Sequence, residues 1–349
     1  VEAIQSFLAE LDTSLLKSES IQIAETAFTA DYLQGRFVQY RKEPVITRLE
    51  LMADDIVAVL KAKWGRDGKH PSKGEIVKRL KKRLNYTSAF EIYKAFIEHY
   101  APGQIRFVKK NFEFNDVYPY LYVQIYFKGI KTYELVQHFV LDEMQDYTPI
   151  QYAVLSKIFE CKRTIVGDFS QALLPYETIS RQAFEHILPQ IEYVELTTTY
   201  RSSYEIAYYA KKFMKHGVIN PIARHGKDPE EIRYSSLDEM VRIVSEKAVN
   251  KYKSTAIICK SEGDVKQLGE RLKIPFTILS GETKRFTPGI LLTTIQYAKG
   301  LEFDAVIIPY VDATHYETSF DGGLLYIATT RAMHELTVLV DAHAPSPLL

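Results

Sequence analysis

Phe139-Val140-Leu141-Asp142-Glu143-Met144-Gln145-Asp146 is the stretch that decides the fold of this chain. Three apolar residues run into an acidic cluster, which predicts a strand buried on both faces and ending in two adjacent carboxylates. In open α/β sheets, ligands bind at the carboxyl ends of the strands. Asp142 and Glu143 repel one another at such a point, so the site calls for a cation. Asp142 is the candidate metal-side ligand. Glu143 stands where it can orient or deprotonate a water, a division of labour suited to phosphoryl transfer. A lone Asp-Glu pair is more often an exposed acidic turn after a core strand. The rest of the chain favours the site.

After this strand, Pro149 opens a helix through Leu155 and Phe159. Residues 163–167 form a second strand that stops at Gly167-Asp168 and leaves Gln171 just beyond it. Gln both donates and accepts, so Gln171 can sense a terminal phosphate or hold an attacking water. Tyr200-Arg201-Ser202-Ser203 follows, with Ser202 or Ser203 placed to cap the next helix and Arg201 offering a planar fork to a phosphate. Strand and helix patterns then alternate over 232–234, 237–249, 255–259, 263–272 and 276–279, which predicts a parallel sheet. The strand 291–295, with Thr294 near its end, enters Gln296-Tyr297-Ala298-Lys299-Gly300-Leu301-Glu302-Phe303. A last segment, Leu325-Tyr326-Ile327-Ala328-Thr329-Thr330-Arg331-Ala332, precedes a strand over 336–340. Singly, Lys299 and Glu302 read as a surface pair and Arg331 as a helix-terminal charge. As an ordered set they do not read as chance.

The amino-terminal third is helical in pattern. Ile4, Phe7, Leu8, Leu11 and Leu15 recur at helical spacing, as do Ile56, Val57, Val59 and Leu60. Further helices are predicted over 73–84, over 88–100 until Pro102 stops the run, and over 118–127 with Gly129 as the C-cap. Residues 61–83 are strongly basic, with Lys78 and Lys82 among ten cationic side chains; such a run tracks a phosphate backbone or is simply a solvated helix face. Trp64 lies within it, suited to packing or to stacking on a base.

At 349 residues, 46% hydrophobic and 25% charged, the chain has room for two or three domains, each with its own core. Net charge is zero, so any nucleic-acid binding must come from local patches. Cys161 and Cys259 read as reduced core residues of an intracellular protein. No secretory signal or long apolar span is visible, which predicts a soluble cytoplasmic protein without a membrane role. The opening Val1-Glu2-Ala3 lacks Met, suggesting a piece of a longer protein.

With these motifs in hand, the chain resembles the UvrD/Rep group of superfamily 1 helicases. Asp142-Glu143-Met144-Gln145-Asp146 resembles the Walker B element, Gly167-Asp168 with Gln171 the third motif, and Tyr200-Arg201-Ser202 the fourth. Ala298-Lys299-Gly300-Leu301-Glu302-Phe303 resembles the fifth, and Thr330-Arg331-Ala332 the sixth. The resemblance implies ATP and Mg²⁺ as cofactors. Asp142 would hold the metal, Glu143 would activate water, and Gln171 would sense the γ-phosphate. Arg201 and Arg331 would bring positive charge to that phosphate. Gly300, Glu302 and Tyr326 would border the nucleotide, and Thr294, Lys78 and Lys82 would meet nucleic acid, DNA above all. The implied fold class is α/β, with RecA-like parallel sheets, one partial and one complete, and an amino-terminal helical insertion. The expected domains are the insertion over 1–104, a partial first RecA-like domain over 105–196, and a second over 197–349.

The sequence departs from the pattern at identifiable places. It contains no Gly-x-x-x-x-Gly-Lys-[Ser/Thr]; Gly65-Arg66-Asp67-Gly68-Lys69 has the wrong spacing. The phosphate loop would therefore come from a missing amino-terminal part of the same protein. Tyr176 substitutes for the usual strand-stacking residues, and Gln296 stands where relatives carry His. Within the group, the wording of 325–336 and the helical segment 116–129 resemble the HelD-like branch, whose members act with RNA polymerase. Three readings follow: the carboxyl-terminal portion of a polymerase-remodelling motor, a DNA-translocating helicase, or a non-catalytic binding module.

Overall fold

The computed structural model describes residues 1–64, 70–103, 112–171, 181–188, 191–214, 218–283 and 288–349, without the side chains of residues 64, 170 and 181–183. They form two compact units. The first gathers Val1–Leu141, Tyr147–Thr164 and Ile179–Ile191; the second gathers Asp142–Asp146, Ile165–Thr178 and Glu192–Leu349. The readings of Trp64 as a stacking residue and Tyr176 as a strand contact lie outside the described side chains and residues.

The first unit is mainly helical. Helices Glu2–Ser14, Ala30–Gln39, Val45–Trp64, Lys73–Lys81, Ala89–Tyr100, Phe114–Lys128 and Pro149–Ile158 surround one apolar core that includes Leu8, Phe37, Leu49, Ile56, Leu80, Ile92 and Phe127. Sequence sets their ends. Ser72 and Glu75 form a capping box for Lys73–Lys81, and the Ser88 hydroxyl caps Ala89–Tyr100. Gly129, at φ +78°, ends Phe114–Lys128. That helix starts four residues earlier than its sequence pattern suggests, so Pro119 lies inside it rather than at its first turn. On Val45–Trp64, Arg48 is a buried junction. It contacts Asp12 at 2.7 Å and donates to the carbonyls of Glu43 and Arg41, each at 2.7 Å.

The strand His138–Leu141 is not buried on both faces: Val140 is 65% exposed, because this strand pairs only with Lys162–Ile165 in a two-stranded sheet among the described residues. Cys161 is half-buried just ahead of Lys162–Ile165 rather than a core residue, whereas Cys259 is buried and its thiol pKa is pushed up by that burial.

The second unit is built on a six-stranded parallel sheet in the order Glu230–Tyr234, Ala332–Asp341, Phe303–Val311, Ser254–Cys259, Gly289–Thr294, Thr277–Leu279. Alternate side chains face opposite ways. Ala256, Ile258, Val306, Ile308 and Val338 join one core with residues of helices Tyr204–Ala210 and Ser319–Thr329. Ile257, Cys259, Ile307 and Leu339 join another with Leu237–Ala248 and Glu262–Gly269. Both faces are thus covered, which is why Ser254–Cys259 is buried along its whole length. The fold class is α/β, with a RecA-like parallel sheet. No described helix is long and apolar enough to cross a membrane.

Candidate nucleotide-hydrolysis site

The second unit brings most of the sequence candidates together. Asp142 leaves the strand end and its Oδ1 accepts from the backbone N–H of Glu143 at 2.8 Å. Glu143 sits at φ +52°, in the left-handed region that a non-glycine residue seldom adopts. Such a conformation costs about 1–3 kcal/mol and persists where its surroundings over-determine it. Met144 N–H donates to the Val166 carbonyl at 3.0 Å and Asp146 N–H to the Glu143 carbonyl at 2.9 Å, pinning the corner. The Glu143 side chain is 41% exposed, and one of its carboxylate oxygens accepts from Gln145 Nε2 at 2.6 Å.

Gln171 occupies the short turn Phe169–Gln171. Its Nε2 donates to Asp168 Oδ2 at 3.0 Å, and its Oε1 accepts from Arg331 at 3.1 Å. Arg331 is 1% exposed; its Nε and Nη1 donate to the carbonyls of Ile327 and Leu301, and its Nη2 also donates to Thr330 Oγ1 at 3.3 Å. Burial pushes its pKa down to about 10, with Arg201 adding to the fall and Glu143 and Glu302 opposing it. It therefore keeps its charge at neutral pH. Tyr326 is buried beside it on helix Ser319–Thr329 and donates to Asp168 Oδ2 at 3.4 Å. Burial, then the Asp168 charge, raises the Tyr326 pKa, so it stays a hydrogen-bond donor.

Arg201 pairs with Glu302, Nε to Oε1 at 2.5 Å, with both side chains well exposed. Lys299 is not the surface residue its sequence suggests. Its side chain is 6% exposed; Nζ lies 2.5 Å from Asp146 Oδ1, 3.9 Å from Glu143 Oε2, and donates to the Gln171 carbonyl at 2.8 Å. Gly300 follows at φ +78°, a turn that suits glycine and carries the chain from Lys299 to Glu302.

Ser202 and Ser203 do not cap the helix as expected. Ser202 donates to the Ala332 carbonyl at 2.7 Å, and Ser203 is the N-cap residue of Tyr204–Ala210 without a side-chain cap bond. Thr294 is buried, its hydroxyl accepting from Tyr297 N–H at the start of Ile295–Ala298. Lys78 and Lys82 belong to the first unit and are exposed on and just after Lys73–Lys81. Part of the surrounding basic run is spent locally, since Lys73 pairs with Asp54 and Arg83 with Glu19.

Sequence reasoning missed the roles of Lys299, Asp146, Asp168 and Gln145. The signal for Lys299 was its position between Ala298 and Leu301, where a lysine needs a carboxylate if it is to be buried. Among the described residues, no group of three or more His, Cys, Asp or Glu side chains converges as a metal cage. Mg²⁺ needs none, because it is held by one or two carboxylates plus phosphate and water oxygens. Asp142 has the donor chemistry for that part.

Residues 289–339 match the family model of the UvrD-like helicase C-terminal domain. A protein of Acanthamoeba polyphaga mimivirus, provisionally named ATP-dependent DNA helicase R568, is 24% identical over 255 residues, 60% of this chain. The chain spans 35% of that relative's length. The crystal structure of the C-terminal domain of a possible DNA helicase from Lactobacillus plantarum WCFS1 is 30% identical, covering 43% of this chain and 91% of that one, with a TM-score of 0.37.

Proposed function

Because this chain belongs to the superfamily 1 helicase-like proteins through its UvrD-like helicase C-terminal domain, we propose that it is the carboxyl-terminal part of an ATP-driven motor acting on nucleic acid. The observation that carries the reading is the contact of buried Arg331 with Gln171 at 3.1 Å, in the same unit as Glu143. A phosphate sensor, a cationic finger and a water-activating carboxylate are the parts such a reaction requires. Bound MgATP would supply the reactive γ-phosphorus. Asp142 would hold the metal, and Glu143 would take a proton from the attacking water. Gln171 would orient that water or the γ-phosphate, while Arg331 would stabilise the developing charge. Arg201 would join it once its pair with Glu302 opens, leaving Glu302 to meet the ribose with Gly300 and Tyr326 beside it. The cradle for the other phosphates is supplied outside this chain, which lacks the Gly-x-x-x-x-Gly-Lys-[Ser/Thr] loop.

On this reading 1–104 is a helical insertion, 105–196 the rest of a first RecA-like domain and 197–349 the second, working in the cytoplasm. Lys78, Lys82 and the Thr294 region meet DNA. In the complete protein, ATP hydrolysis is expected to be stimulated by DNA, to fall at least about 10²-fold in Glu143→Gln, and to lose its stimulation as salt rises. Turnover unaffected by Glu143→Gln would rule the reading out.

A narrower version places the motor in the HelD-like branch, acting on RNA polymerase. Its support is the wording of 325–336 and the helix Phe114–Lys128 ahead of the acidic strand end. Recovery of core polymerase by the complete protein would favour it, and DNA-stimulated turnover without polymerase binding would exclude it.

A further inference from the structure

Resting on the reading of this site as one that hydrolyses ATP, we propose that Gln145 is a positioning residue: it aims the Glu143 carboxylate and ties it to the turn at Gly167 and Asp168. Gln145 is 1% exposed, although a buried amide must satisfy both of its ends. It does so with the two halves of the site. Nε2 donates to Glu143 Oε2 at 2.6 Å, and Oε1 accepts from the Asp168 backbone N–H at 3.0 Å. The turn is shaped around this amide, since a Cβ at Gly167 would lie 2.4 Å from Gln145 Oε1.

The bond to Glu143 has a competitor. The same Glu143 oxygen is 3.9 Å from Lys299 Nζ, and nearly half of the glutamate side chain is open to solvent. Without the amide donor, the carboxylate would be free to swing toward the ammonium or into water. With it, hydrogen bonds run unbroken from Glu143 through Gln145 to Asp168, then through Gln171 to Arg331. The water-activating group, the phosphate sensor and the cationic finger are therefore linked through one series of hydrogen bonds. Gln145 acts through Glu143, to which its amide donates.

Two substitutions separate positioning from scaffolding. Q145E would keep an acceptor for the Asp168 N–H and lose the donor to Glu143; Q145M loses both. In the complete protein, both variants are expected to lower kcat at least tenfold while leaving KM for ATP within about threefold. Amide exchange at Asp168, followed by NMR in this chain, should stay as slow in Q145E as in the unsubstituted protein and speed up in Q145M. If Gln145 only braces the turn, Q145E keeps kcat within twofold, and that result overturns the proposal. The two readings fail differently. Turnover that Glu143→Gln leaves intact overturns the hydrolytic site itself. Turnover that needs Glu143 but ignores Q145E overturns the positioning role alone.

Discussion

Gly167 shows how tightly single residues are specified here. A Cβ at that position would lie 2.6 Å from the Met144 backbone nitrogen as well as against Gln145, and backbone cannot swing aside as a side-chain tip can. Gly167→Ala should destabilise the second unit by about 1–3 kcal/mol in urea unfolding, the usual cost of forcing atoms into a filled space. Gly35 is the counter-example. It is exposed within Ala30–Gln39 and nothing lies within 4 Å of an added Cβ, so Gly35→Ala should stabilise the first unit by about 0.5–1 kcal/mol. His315 is specified by charge instead. Its ring nitrogens reach Asp264 at 3.2 Å and Asp312 at 2.9 Å, and the Asp264 bond, opposed by burial and joined by Asp312, raises its pKa from 6.5 to about 9. A raised folded-state pKa gives stability that is fully present below pH 6.5 and lost as pH climbs through about 9. The Asp264 and Asp312 values are lowered, so their share disappears in acid, below the ordinary 3.8. The stability gap between the unsubstituted protein and His315→Gln should therefore be wide at pH 6 and narrow at pH 10; an equal gap at both would contradict this assignment.

At the scale of elements, what was legible depended on whether the deciding interactions are local. Helices Lys73–Lys81 and Ala89–Tyr100 were legible as ranges, and their starts are held by Ser72 with Glu75 and by Ser88, caps that act over three residues. Phe114–Lys128 starts upstream of its periodic stretch and tolerates Pro119, which only packing of Tyr122, Val123 and Phe127 explains. The strand His138–Leu141 was identified as a strand but not in its exposure, since an apolar run does not encode how many neighbours it has. In the site, the charged residues stood out from apolar surroundings, whereas the Gln145 bond to Asp168 spans 23 positions and has no local signature. Element placement also yields a test in the first unit. Arg48, on Val45–Trp64, is almost fully buried and bonds to Asp12, which also accepts from Tyr126 at 2.5 Å. Arg48→Ala should cost about 3 kcal/mol, the low end for a broken buried pair because Asp12 keeps some solvent contact. Urea unfolding that shows no loss would mean that the carbonyl and carboxylate contacts are replaced by water without penalty.

Across the whole molecule, the second unit carries the strongest agreement between sequence and structure. Alternating patterns predicted a parallel sheet, and six parallel strands covered on both faces are found. The end of this unit's sequence supplies Lys299, Glu302, Tyr326 and Arg331, while two short excursions, Asp142–Asp146 and Ile165–Thr178, contribute Glu143 and Gln171. Contributions from such distant stretches cannot be read from spacing, which is why the motifs were visible but their connections were not. On the proposed reading, this assembly completes a phosphate-hydrolysing site. The most direct test is single-turnover ATP hydrolysis by the complete protein carrying Arg331→Ala. Hydrolysis is expected to fall about 10³–10⁵-fold, the contribution of an arginine at a transferring phosphoryl group. Hydrolysis within a few-fold of the unsubstituted rate would contradict it.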